Sequence, residues 1–99
     1  MITLNRTASI APGKTGDALA FSQQIVRHIK EKYGTTAEVL MPIGGNPQRI
    51  AWQVRYENLT QYEALATKLM TGKEYWELAS KNSATFLPGS LHDDLWRTI

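Results

Sequence analysis

The spacing of apolar residues switches between two periods along the chain, and the order of these periods constrains the fold more than any other feature. Residues 2–10 alternate between apolar and polar side chains, as in a strand with one apolar side. From about residue 14 to residue 33, apolar side chains recur at threes and fours, which predicts an amphipathic helix. Gly34 follows and suits a helix end, because glycine reaches positive φ without a steric clash.

The second half of the chain predicts a hairpin, a divided helical region and a closing strand. Two capping-box patterns, beginning at Thr60 and Thr71, divide the helical region with a break near Gly72. A loop rich in glycine, asparagine and proline separates the hairpin strands. The predicted strand, strand, helix, helix and strand lie at about residues 36–43, 49–57, 60–71, 73–84 and 91–99.

The resulting order, β-α-β-β-α-β, predicts an α+β, ferredoxin-like fold with a four-stranded antiparallel sheet and helices on one face. A chain of 99 residues predicts a single domain over residues 1–99. The third strand carries Trp52, Val54 and Tyr56 on one side, and its other side is only partly polar. Because an apolar sheet face left uncovered tends to find a partner, we expect two sheets to pack face to face in a homodimer. Val54 and Trp52 are the candidates for that interface.

Composition narrows the possible functions. The chain has no cysteine, which excludes disulfides, thiolate metal sites and cysteine nucleophiles. A net charge of +2 is too small to indicate a nucleic-acid partner. No apolar run approaches the length of a membrane span, and the first residues do not resemble a secretory signal. We therefore expect a cytoplasmic protein with no nucleic-acid or membrane partner.

Two arginines and three aromatic residues are candidates for ligand binding. Arg6 interrupts an apolar row and Arg55 lies close to Trp52 in the sequence, so either could hold an anionic group such as a carboxylate. Alternatively, each could extend along the surface or pair with an acidic residue. Trp52, Tyr75 and Trp76 could line a pocket for an aromatic or lipid-like ligand, or serve as core or interface residues.

Asn5 is a candidate for hydrogen bonding to a substrate in a pocket between sheet and helices; alternatively, it is a polar residue on a half-exposed strand. His92, Asp93 and Asp94 are consecutive, but neighbouring strand residues point to opposite faces and cannot chelate one ion. Arg97 is expected to pair locally with Asp93 or Asp94. We expect neither a metal nor a cofactor.

The segment Trp52–Leu59, followed by Tyr62, Ala64–Leu65 and Glu74–Trp76, resembles the dimeric α+β barrel superfamily. It is most similar to the NIPSNAP-like and antibiotic-biosynthesis-monooxygenase-like branches. The resemblance implies a domain that pairs into a dimeric α+β barrel. Members of the superfamily include cofactor-independent monooxygenases, haem-degrading enzymes, small-molecule-binding proteins and domains without known activity.

The haem-degrading members use an asparagine on the first strand, a tryptophan on the second helical region and a histidine further along it. Asn5 and Trp76 match the first two residues, but residues 77–91 contain no histidine. The resemblance therefore does not imply haem degradation. The resemblance implies a homodimeric small-molecule-binding domain or a cofactor-independent monooxygenase-like enzyme. Such an enzyme would act on a small aromatic or polyketide-like substrate, with Asn5 and Trp76 as candidate catalytic residues. The alternative is a non-catalytic ligand-binding or interaction module.

Overall fold

A computed structural model describes all 99 residues and shows one four-stranded antiparallel sheet with three helices. The strand order is β2-β3-β1-β4, so β1 lies between β3 and β4. The α+β, ferredoxin-like prediction is confirmed. None of the helices combines the length and apolarity needed to cross a membrane. The elements in chain order are β1 (Ile2–Ser9), α1 (Thr15–Tyr33), β2 (Ala37–Leu40), β3 (Arg49–Tyr56), α2 (Leu59–Thr71), α3 (Lys73–Lys81), a 3₁₀ turn (Ser83–Thr85) and β4 (His92–Arg97).

The helix ends follow local backbone chemistry. α1 ends at Tyr33 and is capped by Gly34, whose φ is 69° and whose N–H donates to the Lys30 carbonyl at 3.0 Å. α2 begins at Leu59, within one residue of the prediction, but its cap is Asn58 rather than Thr60: the Asn58 side chain accepts a hydrogen bond from the Gln61 N–H at 2.9 Å.

The break between α2 and α3 falls at Gly72, as predicted, but Thr71 does not cap α3. The Thr71 hydroxyl donates back to the Thr67 carbonyl at 3.1 Å, inside α2. A Cβ at Gly72 would lie 3.0 Å from the Tyr33 hydroxyl oxygen and 3.1 Å from the Lys68 carbonyl oxygen. Glycine therefore allows this junction to approach α1 closely.

The two faces of the sheet differ in what covers them. We call the face under the helices the covered face; it carries Ile2, Val54 and Tyr56, which pack against α1 and α2 in the main core cluster. The other, the open face, carries Thr3 and Asn5, among other residues. Directly paired residues of neighbouring antiparallel strands share a face, so the strand register assigns every strand residue to one face or the other.

This assignment corrects the expected dimer interface. Val54 is buried, and both Val54 and Trp52 project towards the helices rather than towards a second sheet. Directly paired neighbours on the open face are mostly polar, as in the row Glu38, Gln53, Asn5 and Asp94. An apolar row on both sides of the sheet is therefore not observed.

Candidate functional site

A cavity of about 270 Å³ lies between the covered face of the sheet and the helices. Its volume is near the lower end of the range of about 300–1,000 Å³ that is typical of small-molecule sites. Most of its lining is apolar, and all three helices contribute to it. The lining residues are Leu4, Arg6, Ala8, Phe21, Ile25, Ile29, Trp52, Val54, Tyr56, Leu65, Leu69, Tyr75, Ala79, Asn82, Ser83, Phe86, Leu87, Gly89, Ser90 and Leu91.

Three aromatic rings form one wall of the cavity. Phe21, Trp52 and Phe86 pack edge to face, with ring centroids 5.6–6.3 Å apart. The Trp52 indole N–H donates to the Ser22 hydroxyl at 2.9 Å, and that hydroxyl donates to the Ala18 carbonyl at 2.7 Å. Because Ser22 is fully buried, this chain of hydrogen bonds fixes the orientation of the indole ring. The wall is therefore rigid and suits a flat apolar molecule.

Arg6 is the charged residue of the cavity wall, and it is paired with Asp93. Trp52, Arg6 and Asp93 are directly opposite one another on β3, β1 and β4. Arg6 Nε donates to Asp93 Oδ1 at 2.6 Å, and Arg6 Nη2 donates to Asp93 Oδ2 at 2.8 Å. The hydrogen bond to Asp93 raises the pKa of Arg6, and the same bond lowers the pKa of Asp93. The expected local pairing of Asp93 with Arg97 is thus corrected: Asp93 pairs across the sheet.

Two tyrosines supply hydroxyl groups near Arg6. Tyr75 reaches the cavity from α3, and its proximity contributes to the raised pKa of Arg6. Tyr56 is buried on β3, and burial raises its pKa to about 12, with Tyr62 adding to this effect and Arg6 opposing it. Tyr56 is therefore a neutral hydrogen-bonding group at physiological pH.

Three of the predicted ligand-binding residues, Arg6, Trp52 and Tyr75, come together in this cavity. Arg55 does not: it is exposed and lies in a separate polar groove beside Glu38 and Lys68. Its distance from the cavity follows from the strand alternation, since Arg55 and Val54 point to opposite faces.

Neither candidate catalytic residue lies in the cavity. Asn5 is on the open face, where its amide donates to Gln53 Oε1 at 3.4 Å, so its expected placement between sheet and helices is corrected. Trp76 is 51% exposed on α3, and its indole N–H donates to the Met70 carbonyl at 2.6 Å. The two residues that match the haem-degrading pattern are thus not assembled around this cavity.

The histidines are also outside the cavity. His28 packs between α1 and α3, with Nδ1 3.7 Å from Glu74 Oε2, and His92 is exposed on the open face beside Asp94. No cluster of histidine and acidic side chains is arranged to hold a metal ion. The groups that could act on a ligand in the cavity are therefore hydrogen-bond donors and hydroxyls, rather than a free base.

No family model matches the chain, and no curated protein matches its sequence. Its structure is similar to an uncharacterised NIPSNAP domain protein from Burkholderia xenovorans, with a TM-score of 0.84 and 14% identity over 100% of this chain and 95% of that one. A NIPSNAP family protein of unknown function from Agrobacterium tumefaciens matches at a TM-score of 0.82 and 13% identity, over 99% of this chain and 87% of that one. A candidate antibiotic biosynthesis monooxygenase from Deinococcus radiodurans matches at a TM-score of 0.74 and 10% identity, over 99% of this chain and 92% of that one.

The chain has the ferredoxin-like fold of these NIPSNAP and monooxygenase-like proteins. The resemblance inferred from the segment after Trp52 is thereby confirmed at the level of the fold.

The sequence pattern did not identify several residues of the cavity. Phe21 could have been found, because it belongs to the apolar stripe of α1. Phe86 lies in an irregular segment, where its backbone pairs with Ile10 in an isolated bridge, and no periodicity marks it. Asp93 could be assigned to Arg6 only once the register between β1 and β4 was known.

Proposed function

We propose that this protein is a homodimeric small-molecule-binding domain whose ligand is a small, flat and mainly apolar molecule. The observation that carries the proposal is the apolar cavity between sheet and helices, with the fixed ring of Trp52 on its wall. Arg6, Tyr56 and Tyr75 supply a few convergent polar groups. An apolar cavity with a few placed hydrogen-bonding groups is the usual form of a small-molecule site.

Filling the cavity is expected to weaken ligand binding. Ala79 lines the cavity from α3, whereas its neighbour Ser80 is exposed. We expect Ala79→Phe to weaken binding of the fluorescent probe N-phenylnaphthylamine at least tenfold, about 1.4 kcal/mol, because the new ring occupies the ligand's space. Ser80→Phe adds the same ring on the solvent side and should bind as the wild type does. Equal binding by the wild type and both variants would show that the probe does not enter the cavity.

A second candidate function is a cofactor-independent monooxygenase-like activity on a small aromatic or polyketide-like substrate. It is supported by the apolar cavity and by the fold shared with a candidate antibiotic biosynthesis monooxygenase. Against it, the cavity wall carries no histidine and no free carboxylate that could act as a general base. Oxygen uptake with electron-rich quinols, which themselves supply the electrons, distinguishes this enzyme from the alternative of a non-catalytic module.

An exposed tryptophan on β4, rather than Trp52 and Val54, supports a homodimer. Trp96 is paired with Thr3 on the open face and is 64% exposed, and β4 as a whole is poorly buried. A two-fold contact that covers Trp96 would remove a large aromatic surface from water. We expect native mass spectrometry to give a mass near twice 11.1 kDa and Trp96→Asp to give a folded monomer. A wild type that stays monomeric at high concentration would refute the dimer.

Two further expectations belong to this proposal. We propose that residues 1–99 form a single domain and that the protein is located in the cytoplasm.

A further inference from the structure

The charge balance of the cavity points to the kind of ligand that it selects. Arg6 is the one side chain on the cavity wall that is ionised at neutral pH; the other polar lining groups are tyrosine, serine, asparagine and tryptophan side chains. An isolated arginine in such a wall would favour a carboxylate or a sulfonate. The preference of the site therefore depends on whether the Arg6 charge is available to a ligand.

Asp93 occupies the Nε and Nη2 edge of the guanidinium, one of the two edges that can hold a carboxylate through two hydrogen bonds. Both Asp93 oxygens accept from Arg6, at 2.6 and 2.8 Å, through Nε and Nη2. This is the parallel, two-bond geometry that makes arginine a specific partner of carboxylates. A ligand carboxylate would have to displace Asp93, or bind next to a second negative charge with only the remaining N–H groups of Arg6.

A ligand with a neutral acceptor does not need to displace Asp93 and is not repelled by its negative charge. A ketone, quinone or ester oxygen can accept one remaining N–H of Arg6, or the hydroxyl hydrogen of Tyr75, without displacing Asp93. Its aromatic body can at the same time lie against the indole of Trp52, which is directly opposite Arg6 on the neighbouring strand. The carbonyl oxygen and the aromatic body of such a molecule then each have a partner in the cavity.

We propose that Asp93 is a specificity-determining residue of this cavity: by pairing with Arg6, it makes the site select neutral, carbonyl-bearing aromatic molecules and reject their carboxylate counterparts. This inference rests on the proposed ligand-binding function of the cavity. Asp93 is not among the lining residues, so it acts through Arg6 as a positioning residue. Removing its charge should convert the cavity into a carboxylate site.

The test compares two ligands of the same shape, the ketone acetylnaphthalene and the carboxylate naphthoate, by isothermal titration calorimetry. We expect the wild type to bind the ketone at least tenfold more tightly. In Asp93→Asn, the ratio should shift at least tenfold towards naphthoate, because Arg6 gains a free charge. Asp93→Glu keeps the carboxylate and should restore the wild-type preference.

Asp94→Asn is the matched control. It changes the net charge of the protein by the same amount, but Asp94 projects from the open face and pairs with His92, with Nε2 3.2 Å from Oδ1. We expect the ligand ratio of this variant to equal that of the wild type, so a shift in Asp93→Asn alone excludes a long-range charge effect. A general loss of structure would weaken the binding of both ligands together, so it could not produce the expected shift in their ratio.

The outcomes separate this inference from the proposed function. Binding of neither ligand to any form of the protein would overturn both proposals. Binding of the ketone with the same ligand ratio in the wild type and Asp93→Asn would overturn the role of Asp93 and leave the binding cavity standing. A wild type that prefers naphthoate would show that Asp93 does not neutralise Arg6 in the site.

Discussion

Val54→Asp is expected to unfold this protein rather than to separate a dimer. Val54 is 7% exposed and packs in the main core cluster with Ile2, Ile25 and Leu65. A carboxylate at this position would lie among the apolar side chains of the core and lose much of its hydration, which costs several kcal/mol. We expect a loss of about 4 kcal/mol or more in the free energy of unfolding, against a total of about 5–15 kcal/mol for a typical domain. Urea unfolding followed by circular dichroism measures it.

Arg55→Asp is the matched control, because Arg55 is the next residue on β3 and is exposed. The new carboxylate stays in water, and we expect a change of no more than about 1 kcal/mol, which is the range of strand propensity. The outcome that would contradict the fold is a Val54→Asp protein that is folded and monomeric. That result would place Val54 at a sheet-to-sheet interface instead of under the helices.

The alternation of strand residues predicted which side chains share a face, and the structure confirms it for Leu4, Arg6 and Ala8, which line one cavity. It did not predict which face the helices cover. Period two divides a strand into two rows, but the choice between rows depends on where the helices pack. The sequence pattern therefore places Trp52 and Val54 at a dimer interface, although both residues line the cavity.

Chemistry that depends on strand register was out of reach of the sequence. Arg6 and Asp93 are separated by 87 residues and meet because β4 pairs with β1 in one particular register. A shift of one residue would place Asp94 opposite Arg6 and move Asp93 to the other face of the sheet. The sequence thus identifies Arg6 as a candidate ligand-binding residue. It does not identify Asp93 as the partner of Arg6, and therefore cannot show that the Arg6 charge is already paired.

The predicted position of Asn5, between the sheet and the helices, is wrong for a related reason. A residue in the polar row of an alternating strand suits either a substrate contact or the open side of a sheet, and the sequence pattern is the same in both cases. Gln53 lies directly opposite and accepts its amide hydrogen bond. The pair is explained by cross-strand contact alone.

Alkaline pH should destabilise the wild type more than Tyr56→Phe. Burial raises the pKa of Tyr56 to about 12 in the folded protein, against about 10 in an unfolded chain. The folded state therefore keeps its proton over a range in which the unfolded state loses it. The stability that comes from the neutral hydroxyl is fully present below pH 10 and is lost as the pH rises through 12, by about 2–3 kcal/mol.

The measurement is the free energy of unfolding of both proteins between pH 8 and about 12. Phenylalanine has no proton to lose, so the difference between the two curves isolates Tyr56, while the titration of lysines and other tyrosines largely cancels. We expect the wild type to lose stability relative to Tyr56→Phe only above about pH 10. Parallel curves over the whole range would mean that Tyr56 titrates alike in the folded and unfolded states, and thus that its hydroxyl is reached by water through an open, hydrated cavity. The same experiment therefore reports how well the binding cavity excludes water, on which the preference for an apolar ligand depends.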